Sequence, residues 1–210
     1  MRIFLIVIAT IVIISALFIG YAYNEFTYKP EYFNKVEQFD IKQISQQAAR
    51  TKERVAKQLD QQENARLSGE EIMQHSLDEF SKKTDLDLNT IIKKSKSEIV
   101  DGRFKSEAVI NVKALSSQKL ASHAQKYVDS FLSYLPDTMM EDVYISFEGT
   151  PVNKNGILHF GDDVVISIGD FTRNLSEINN NRGINLDMQM FYQLGASDIV
   201  IKDDFVELKK

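Results

Sequence analysis

The stretch VYISFEGTPVNKNGILHFGDDVVISI, residues 143–168, decides the fold class of this chain. Residues 143–148 alternate between apolar and more polar side chains, which is the two-residue period of a half-buried strand. Residues 153–156, Asn-Lys-Asn-Gly, supply the turn of a β-hairpin, and residues 157–160 return as its second strand. A further apolar run covers residues 164–168. The stretch therefore predicts an antiparallel strand meander.

The segment before the meander predicts the helix that covers it. Residues 107–114 alternate and are rich in Val, and they read as one more strand. Ser116 or Ser117 then caps a helix over residues 117–135, which Pro136 ends. An antiparallel sheet must bury its apolar face, so this helix is expected to pack on it. Its apolar stripe consists of Leu120, Ala124, Tyr127, Val128, Phe131 and Leu135.

The segment after the meander is less clear. Residues 184–192 alternate like a strand, but Asn185 at one end and Gly195 at the other suit the two ends of a short helix. We favour the helix, with a strand as the alternative. Residues 199–201 and 205–208 close the chain as two strands.

A capping box marks the predicted start of the globular domain. In Ser68-Gly69-Glu70-Glu71, the Ser68 side chain can accept from the backbone while Glu71 reaches back. A helix is expected from there to about Lys82. We therefore assign an α+β domain to residues 68–210.

Residues 34–67 read as one long polar helix without Pro or Gly. Ile41, Ile44, Ala48 and Val55 fall near heptad spacing, but this apolar seam fades after two heptads, and a coiled coil needs more. We interpret residues 24–67 as a solvated juxtamembrane stalk. The alternative is a coiled coil that forms a weak homodimer.

An apolar run precedes the stalk. Residues 3–23 carry no charge, and at about 1.5 Å per helical residue they reach roughly 32 Å, enough to cross a bilayer. Residues 1–23 are therefore predicted to be an uncleaved signal anchor. Gly20 and Ala22 would suit the alternative, a cleaved signal peptide. Arg2 favours a cytoplasmic N-terminus. We expect a single-pass protein of the cell membrane with an extracytoplasmic domain.

Composition excludes several classes of chemistry. The chain has no Cys, which removes disulfides, thiolate metal sites and cysteine nucleophiles. Residues 136–210 carry six Lys or Arg against thirteen Asp or Glu. An acidic face repels phosphate backbones, so we expect no nucleic-acid partner.

Candidate catalytic and metal-binding residues are few. The three His residues are isolated in sequence, and we predict neither a metal nor a cofactor. Residues 85–89 begin like a calcium-binding EF-hand loop, but Thr90 and Lys96 occupy positions that require Gly and a carboxylate. Helix capping explains these carboxylates better. If the protein were instead an envelope hydrolase, His159 and Asp163 would be its first candidates.

Five lysines form a basic cluster in sequence: Lys82, Lys83, Lys93, Lys94 and Lys96. On one face turned to the bilayer they could contact anionic headgroups. The alternative is an ordinary solvated face.

We therefore predict a non-enzymatic, membrane-anchored accessory protein of the cell envelope. Its partner is expected to be a lipid, another apolar ligand or an envelope membrane protein. A slot between the helix at 117–135 and the sheet would hold an acyl chain, lined by Tyr127, Phe131, Ile145, Phe147 and Met190.

Overall fold

Antiparallel sheets and helices build the domain, so the predicted α+β class is confirmed. The computed structural model describes residues 28–118, 141–154, 157–161, 163–174, 186–188, 196 and 198–210. Its helices there are a 3₁₀ helix at Glu31–Lys35, α1 (Ile41–Asp60), α2 (Gly69–Lys83), α3 (Leu88–Ile91) and α4 (Val112–Ser116). Its strands there are β1 (Ala65–Leu67), β2 (Ile92–Val100), β3 (Arg103–Ile110), β4 (Val143–Gly149), β5 (Pro151–Lys154), β6 (Ile157–Phe160), β7 (Val165–Ile168), β8 (Phe171–Asn174), β9 (Leu186–Met188), β10 (Asp198–Ile201) and β11 (Val206–Lys209).

A five-stranded sheet with the order β2-β3-β4-β7-β8 forms the centre. Two three-stranded sheets, β5-β6-β9 and β1-β11-β10, accompany it, and every pairing is antiparallel. The predicted strands of residues 143–168 and their hairpin are confirmed, but the strands do not form one meander: β4 pairs with β7, and the β5–β6 hairpin between them belongs to another sheet. The two predicted C-terminal strands are confirmed as β10 and β11.

A tight hairpin joins β2 and β3. Val100 pairs with Arg103, and the two residues between them, Asp101 and Gly102, both have positive φ (52° and 72°). Two consecutive positive φ values characterise the turn whose twist suits a two-residue hairpin. A bulge at Lys93 shifts the register of β2 and so determines which of its residues face each side of the sheet. Beyond it, alternate residues of β2 to β4 share the outer face of the sheet: Lys94, Lys96, Glu98, Lys105, Glu107, Val109 and Tyr144.

The inner face of the same sheet holds the main core. The Met73 sulfur of α2 lies 3.4 Å from the Ser97 hydroxyl and 3.3 Å from the Ser106 hydroxyl, which places α2 against β2 and β3. Buried aliphatic side chains from the strands and helices join there in one cluster. The helix at 69–83 and its capping box are confirmed, with hydrogen bonds in both directions between Ser68 and Glu71.

The solvated-stalk interpretation of the polar helix is wrong for α1. Its residues Ile44, Ala48, Val55 and Leu59 are buried, and α1 packs along α2. The apolar seam that the alternative interpretation assigns to a weak dimer thus packs inside one chain. Residues 65–67, also assigned to the stalk, form β1 and pair with β11. One core therefore includes residues on both sides of position 68. A mostly polar helix can pack on a core through a single apolar stripe, and in α1 four residues form that stripe.

Three further predictions from the sequence have different outcomes in the structure. The favoured helix at 184–192 contains a strand instead, because residues 186–188 pair with β6 and so follow their two-residue alternation. The strand expected at 107–114 ends at Ile110, where the Asn111 side chain caps α4. Of the helix predicted at 117–135, residues 119–135 lie outside the described residues.

The predicted membrane span also lies outside the described residues. Within the described part of the chain, no helix is long and apolar enough to cross a membrane.

Candidate functional site

Residues 28–36, here called the N-terminal segment, lie on the outer face of the central sheet. Pro30 precedes the 3₁₀ helix, and its carbonyl accepts from the Phe33 backbone at 2.9 Å. The Phe33 side chain is fully buried between the segment and the sheet. Its ring meets Tyr144 edge to face, with 5.5 Å between centroids, and Val109 completes this small cluster. A separate hydrophobic contact thus holds the segment to β3 and β4.

Glu107 is the polar centre of this contact. Its carboxylate is 2% exposed and accepts hydrogen bonds from the hydroxyls of Tyr32 and Tyr144. The Lys105 ammonium lies 3.2 Å from the same oxygen. A buried carboxylate is tolerated only when paired and hydrogen-bonded, and here three donors meet that requirement.

The ionisation of the cluster follows from these contacts. Burial alone would raise the pKa of Glu107, but hydrogen bonds from Tyr144 and Tyr32, together with Lys105, outweigh it and hold that pKa below its usual value. Burial and the bond to Glu107 raise the pKa of Tyr144 well above its usual range. The carboxylate is therefore charged and both tyrosines are neutral donors near neutral pH.

Lysines of the sheet hold the backbone and one ring of the segment. The Lys94 ammonium donates to the carbonyls of Phe33 (3.1 Å) and Asn34 (2.8 Å). The ammonium groups of Lys96 and Lys105 lie 5.6 and 5.9 Å from the centroid of the Tyr32 ring, within cation–π range. These residues, together with Glu107 and Tyr144, form the docking site that holds the N-terminal segment on the sheet.

The chain then crosses the edge of β2 and continues on the other side of the sheet. The Phe39 backbone donates to the Lys93 carbonyl at 2.9 Å, and the Glu70 carboxylate accepts from the Ser97 backbone at 3.1 Å. These contacts occupy groups that an edge strand would otherwise offer to a foreign strand.

The five lysines predicted to contact lipid do not share one face. Lys94 and Lys96 lie on the outer face beside the N-terminal segment, and Lys93 pairs with Asp142 at 2.6 Å. Lys82 and Lys83 extend from the end of α2, the helix that packs on the opposite face, and pair with Asp78 and Glu79. The lipid contact stays a prediction, but the structure divides its residues between two sides of the sheet.

Two residues of the predicted acyl slot are described, and both belong to the inner face. Ile145 is buried, and Phe147 packs edge to face on Phe160 with 5.0 Å between centroids. Phe104 contacts both rings. Tyr127, Phe131 and Met190 lie outside the described residues, so the slot stays a prediction.

His159 and Asp163, the hydrolase candidates, lie near the β5–β6 hairpin. His159 is half-buried on β6, opposite Val152 and Asp187. Asp163 accepts from the Thr150 backbone at 2.9 Å and pairs with Arg103 at 3.1 Å. Burial alone would raise the pKa of Asp163, but the bonds from Thr150 and the charge of Arg103 hold it below its usual value. This carboxylate joins the β2–β3 hairpin to the loop before β7.

A second buried polar group lies on α2. His75 and Asp78 are each 4% exposed, and among the described residues the His75 Nε2 and Asp78 Oδ1 atoms have no hydrogen-bond partner. In the described part of the chain no three His, Asp or Glu side chains are placed to hold a metal ion. Of the EF-hand-like carboxylates, Asp87 caps a helix, as predicted: it accepts from the Asn89 backbone at the start of α3.

Sequence reasoning missed the residues that build the docking site: Tyr32, Lys105, Glu107 and Tyr144. The signal that could have found them is Asp101-Gly102, a strong hairpin dipeptide. A hairpin there would have paired Lys96 with Glu107 and brought the basic and acidic residues of β2 and β3 to one face. No family model, curated protein or solved structure matches this chain.

Proposed function

We propose that the protein is a non-enzymatic, membrane-anchored accessory protein of the cell envelope. Its domain is fixed close to the bilayer and presented to an envelope membrane protein. The observation that carries the proposal is the docking site, because the segment that follows the predicted anchor is bound to the central sheet through Phe33 and Glu107. A long flexible linker would leave such a domain far from the bilayer, whereas this contact leaves only residues 24–27 between the predicted anchor and the docked segment.

The position of the docked segment supports a short distance between the domain and the bilayer. Four residues, 24–27, connect the apolar run to Tyr28. A fully extended chain spans at most about 3.6 Å per residue, so Tyr28 lies within roughly 18 Å of Tyr23 along the chain. With α1 packed in the domain rather than standing as a stalk, the domain of an anchored chain stays near the headgroups.

A protein partner is favoured over a lipid held in the inner slot. The described residues of that slot, Ile145 and Phe147, contact other core side chains. A bound lipid would nevertheless be detected by organic extraction of the purified protein, and it would replace the protein partner in this proposal.

Cysteine labelling tests the topology. Because the chain has no Cys, Asn34→Cys and Gln46→Cys each create a single thiol, and both native residues are exposed. Both variants should sediment with membranes and react with a membrane-impermeant maleimide in intact cells. Labelling that requires lysis, or protein that leaves the membrane at the first salt wash, would contradict the proposal. Photo-crosslinking from the same two positions would then identify the partner.

A further inference from the structure

The N-terminal segment exposes aromatic surface. Among the described residues, four large hydrophobic side chains are exposed: Tyr28 (46%), Tyr32 (44%), Val100 and Val152. The two tyrosines belong to one segment, next to the lysines of the docking site. Isolated exposed hydrophobic residues need no explanation, but two exposed aromatic side chains on one short segment concentrate aromatic surface there.

The contacts of Tyr32 make its exposed ring suited to a poorly hydrated layer. Its hydroxyl donates to the buried Glu107, so the polar end of this side chain is satisfied inside the protein. Nearly half of the residue faces outward. Tyrosine rings are enriched at the headgroup level of bilayers because they combine an apolar body with a polar end. Because the Tyr32 hydroxyl is already hydrogen-bonded to Glu107, moving the ring from water into the headgroup layer breaks no hydrogen bond between this donor and water.

Three sheet lysines near these rings are paired with carboxylates. Lys93 lies 2.6 Å from Asp142, Lys96 lies 2.7 Å from Glu98, and Lys105 lies 3.2 Å from Glu107. On this surface the paired lysines gain little from anionic headgroups, Lys94 donates to two backbone carbonyls, and the formal charges of Lys29 and Lys35 are partly offset by Glu31. The attraction of this surface to a bilayer would come from the rings rather than from net charge.

We infer that the N-terminal segment lies on the bilayer with the rings of Tyr28 and Tyr32 in its interfacial layer, and that this contact does not require anionic lipid. The inference rests on the proposed function, since the predicted anchor at residues 3–23 brings the segment to the bilayer. It adds which face of the domain touches the membrane: the outer face of the central sheet, with α2 and α1 directed away.

Tryptophan quenching tests the inference on the full chain. The protein contains no Trp, so Tyr28→Trp places a single reporter on the segment, and Gln46→Trp places one on the exposed side of α1. Both variants are reconstituted in phosphatidylcholine vesicles that contain lipid brominated near the headgroup end of the acyl chains. Fluorescence of Tyr28→Trp should be quenched several-fold more than that of Gln46→Trp. Adding phosphatidylglycerol or salt should change this difference little.

Three results would overturn the inference. Equal, weak quenching of both reporters would mean that the segment does not touch the bilayer. Stronger quenching of Gln46→Trp would mean that the opposite side faces it. Quenching of Tyr28→Trp only with phosphatidylglycerol at low salt would mean an electrostatic contact.

Flotation of the same vesicles separates this inference from the proposed function. Protein that floats with the vesicles while Tyr28→Trp stays unquenched would leave the anchored accessory protein in place and remove only the interfacial contact. Protein that does not float at all would remove both. Tyr28 is half exposed and makes no core contact among those described, so its replacement by Trp should not disturb folding.

Discussion

Three donors converge on one buried carboxylate oxygen of Glu107, and this residue determines how firmly the N-terminal segment is held. Hydrogen bonds to a charged group contribute more than neutral ones, and a buried polar group left without its partner is costly. The neighbouring outer-face carboxylate, Glu98, pairs with Lys96 in a partly exposed position. Two similar residues on adjacent strands thus differ sharply in the environment that surrounds them.

Glu107→Gln should lower the free energy of unfolding by about 2 kcal/mol, because the charge that receives two tyrosine hydroxyls and Lys105 is lost. The matched control, Glu98→Gln, should change it by less than about 0.5 kcal/mol, as expected of an exposed ion pair. Urea unfolding followed by circular dichroism measures both. Equal effects of the two substitutions would contradict the central role of Glu107.

His75 should make the protein sensitive to mild acid. Burial lowers its pKa in the folded chain, while Asp78 and Glu79 oppose this effect and Lys52 of α1 and Lys82 add to it. The unfolded chain then binds a proton below its ordinary pKa of about 6.5, and the folded chain does not. Stability should therefore fall as the pH decreases below about 6.5 and level off below the lowered pKa.

His75→Gln should reduce this acid dependence, because the variant has no group at this position that the unfolded chain can protonate. The measurement is the difference in free energy of unfolding between about pH 7.5 and about pH 5.5 for wild type and variant. An identical difference in the two proteins would show that other groups carry the acid response.

At this scale the sequence groups two lysines of the site, but it does not indicate their contacts within the chain. Lys94 and Lys96 were recognised as part of a basic cluster, and a lipid headgroup was expected opposite them. In the structure Lys94 binds two backbone carbonyls, and Lys96 lies over a tyrosine ring. Those partners are some 60 residues away in sequence. A local sequence pattern cannot predict contacts over that separation.

Among the elements, α2 and β2 approach each other most closely at Gly69. A Cβ added there would lie 2.5 Å from the backbone carbon of Glu98, closer than real Cβ contacts allow. This approach lets Glu70 reach the Ser97 backbone and cover the edge of β2. Glycine is required at position 69 because α2 and β2 are too close there for a side chain, and not because the backbone adopts an unusual conformation.

Gly69→Ala should destabilise the protein by about 1–3 kcal/mol, since backbone must move to admit the methyl group. Gly161→Ala is the control, because the nearest atom to its added Cβ is a side-chain oxygen of Asp163 at 3.7 Å. Thermal unfolding of the two variants measures the difference. A Gly69→Ala protein as stable as Gly161→Ala would show that α2 can move away from β2 at no cost.

The elements that sequence predicted well are those whose own pattern matches their environment. The strands of residues 143–168, α2 with its capping box and the last two strands each have a local signal in the sequence. The helix α1 was located in sequence but misplaced in space, because its polar composition hides a stripe of four buried residues. Residues 186–188 form a strand through pairing with β6, and that information lies outside the segment.

Across the whole molecule, the core extends over parts of the chain that sequence had separated. Val55, Leu59, Ala65 and Leu67 are each at most 2% exposed and belong to the same cluster as the sheet residues after position 68. Removing them would expose the apolar side of α2 and leave β11 without one neighbour. The main core is therefore a unit that includes α1 and β1.

A chain truncated to residues 28–210 should unfold cooperatively, whereas one truncated to residues 68–210 should not, because it lacks α1, β1 and the docked segment. Denaturant titration followed by near- and far-ultraviolet circular dichroism distinguishes the two. Cooperative unfolding of residues 68–210 with tertiary signal intact would show that the earlier residues are dispensable for the core.

The docked segment also decides how the molecule responds to pulling. A tension that reaches the chain from its N-terminal side meets the contacts of Tyr32, Phe33 and Lys94 before it meets α1. We expect these contacts to break first, while the main core stays folded. Residues 28–40 would then be released and could span at most about 47 Å, at up to about 3.6 Å per residue. A chain pulled from its N-terminal side should thus lengthen before its main core unfolds.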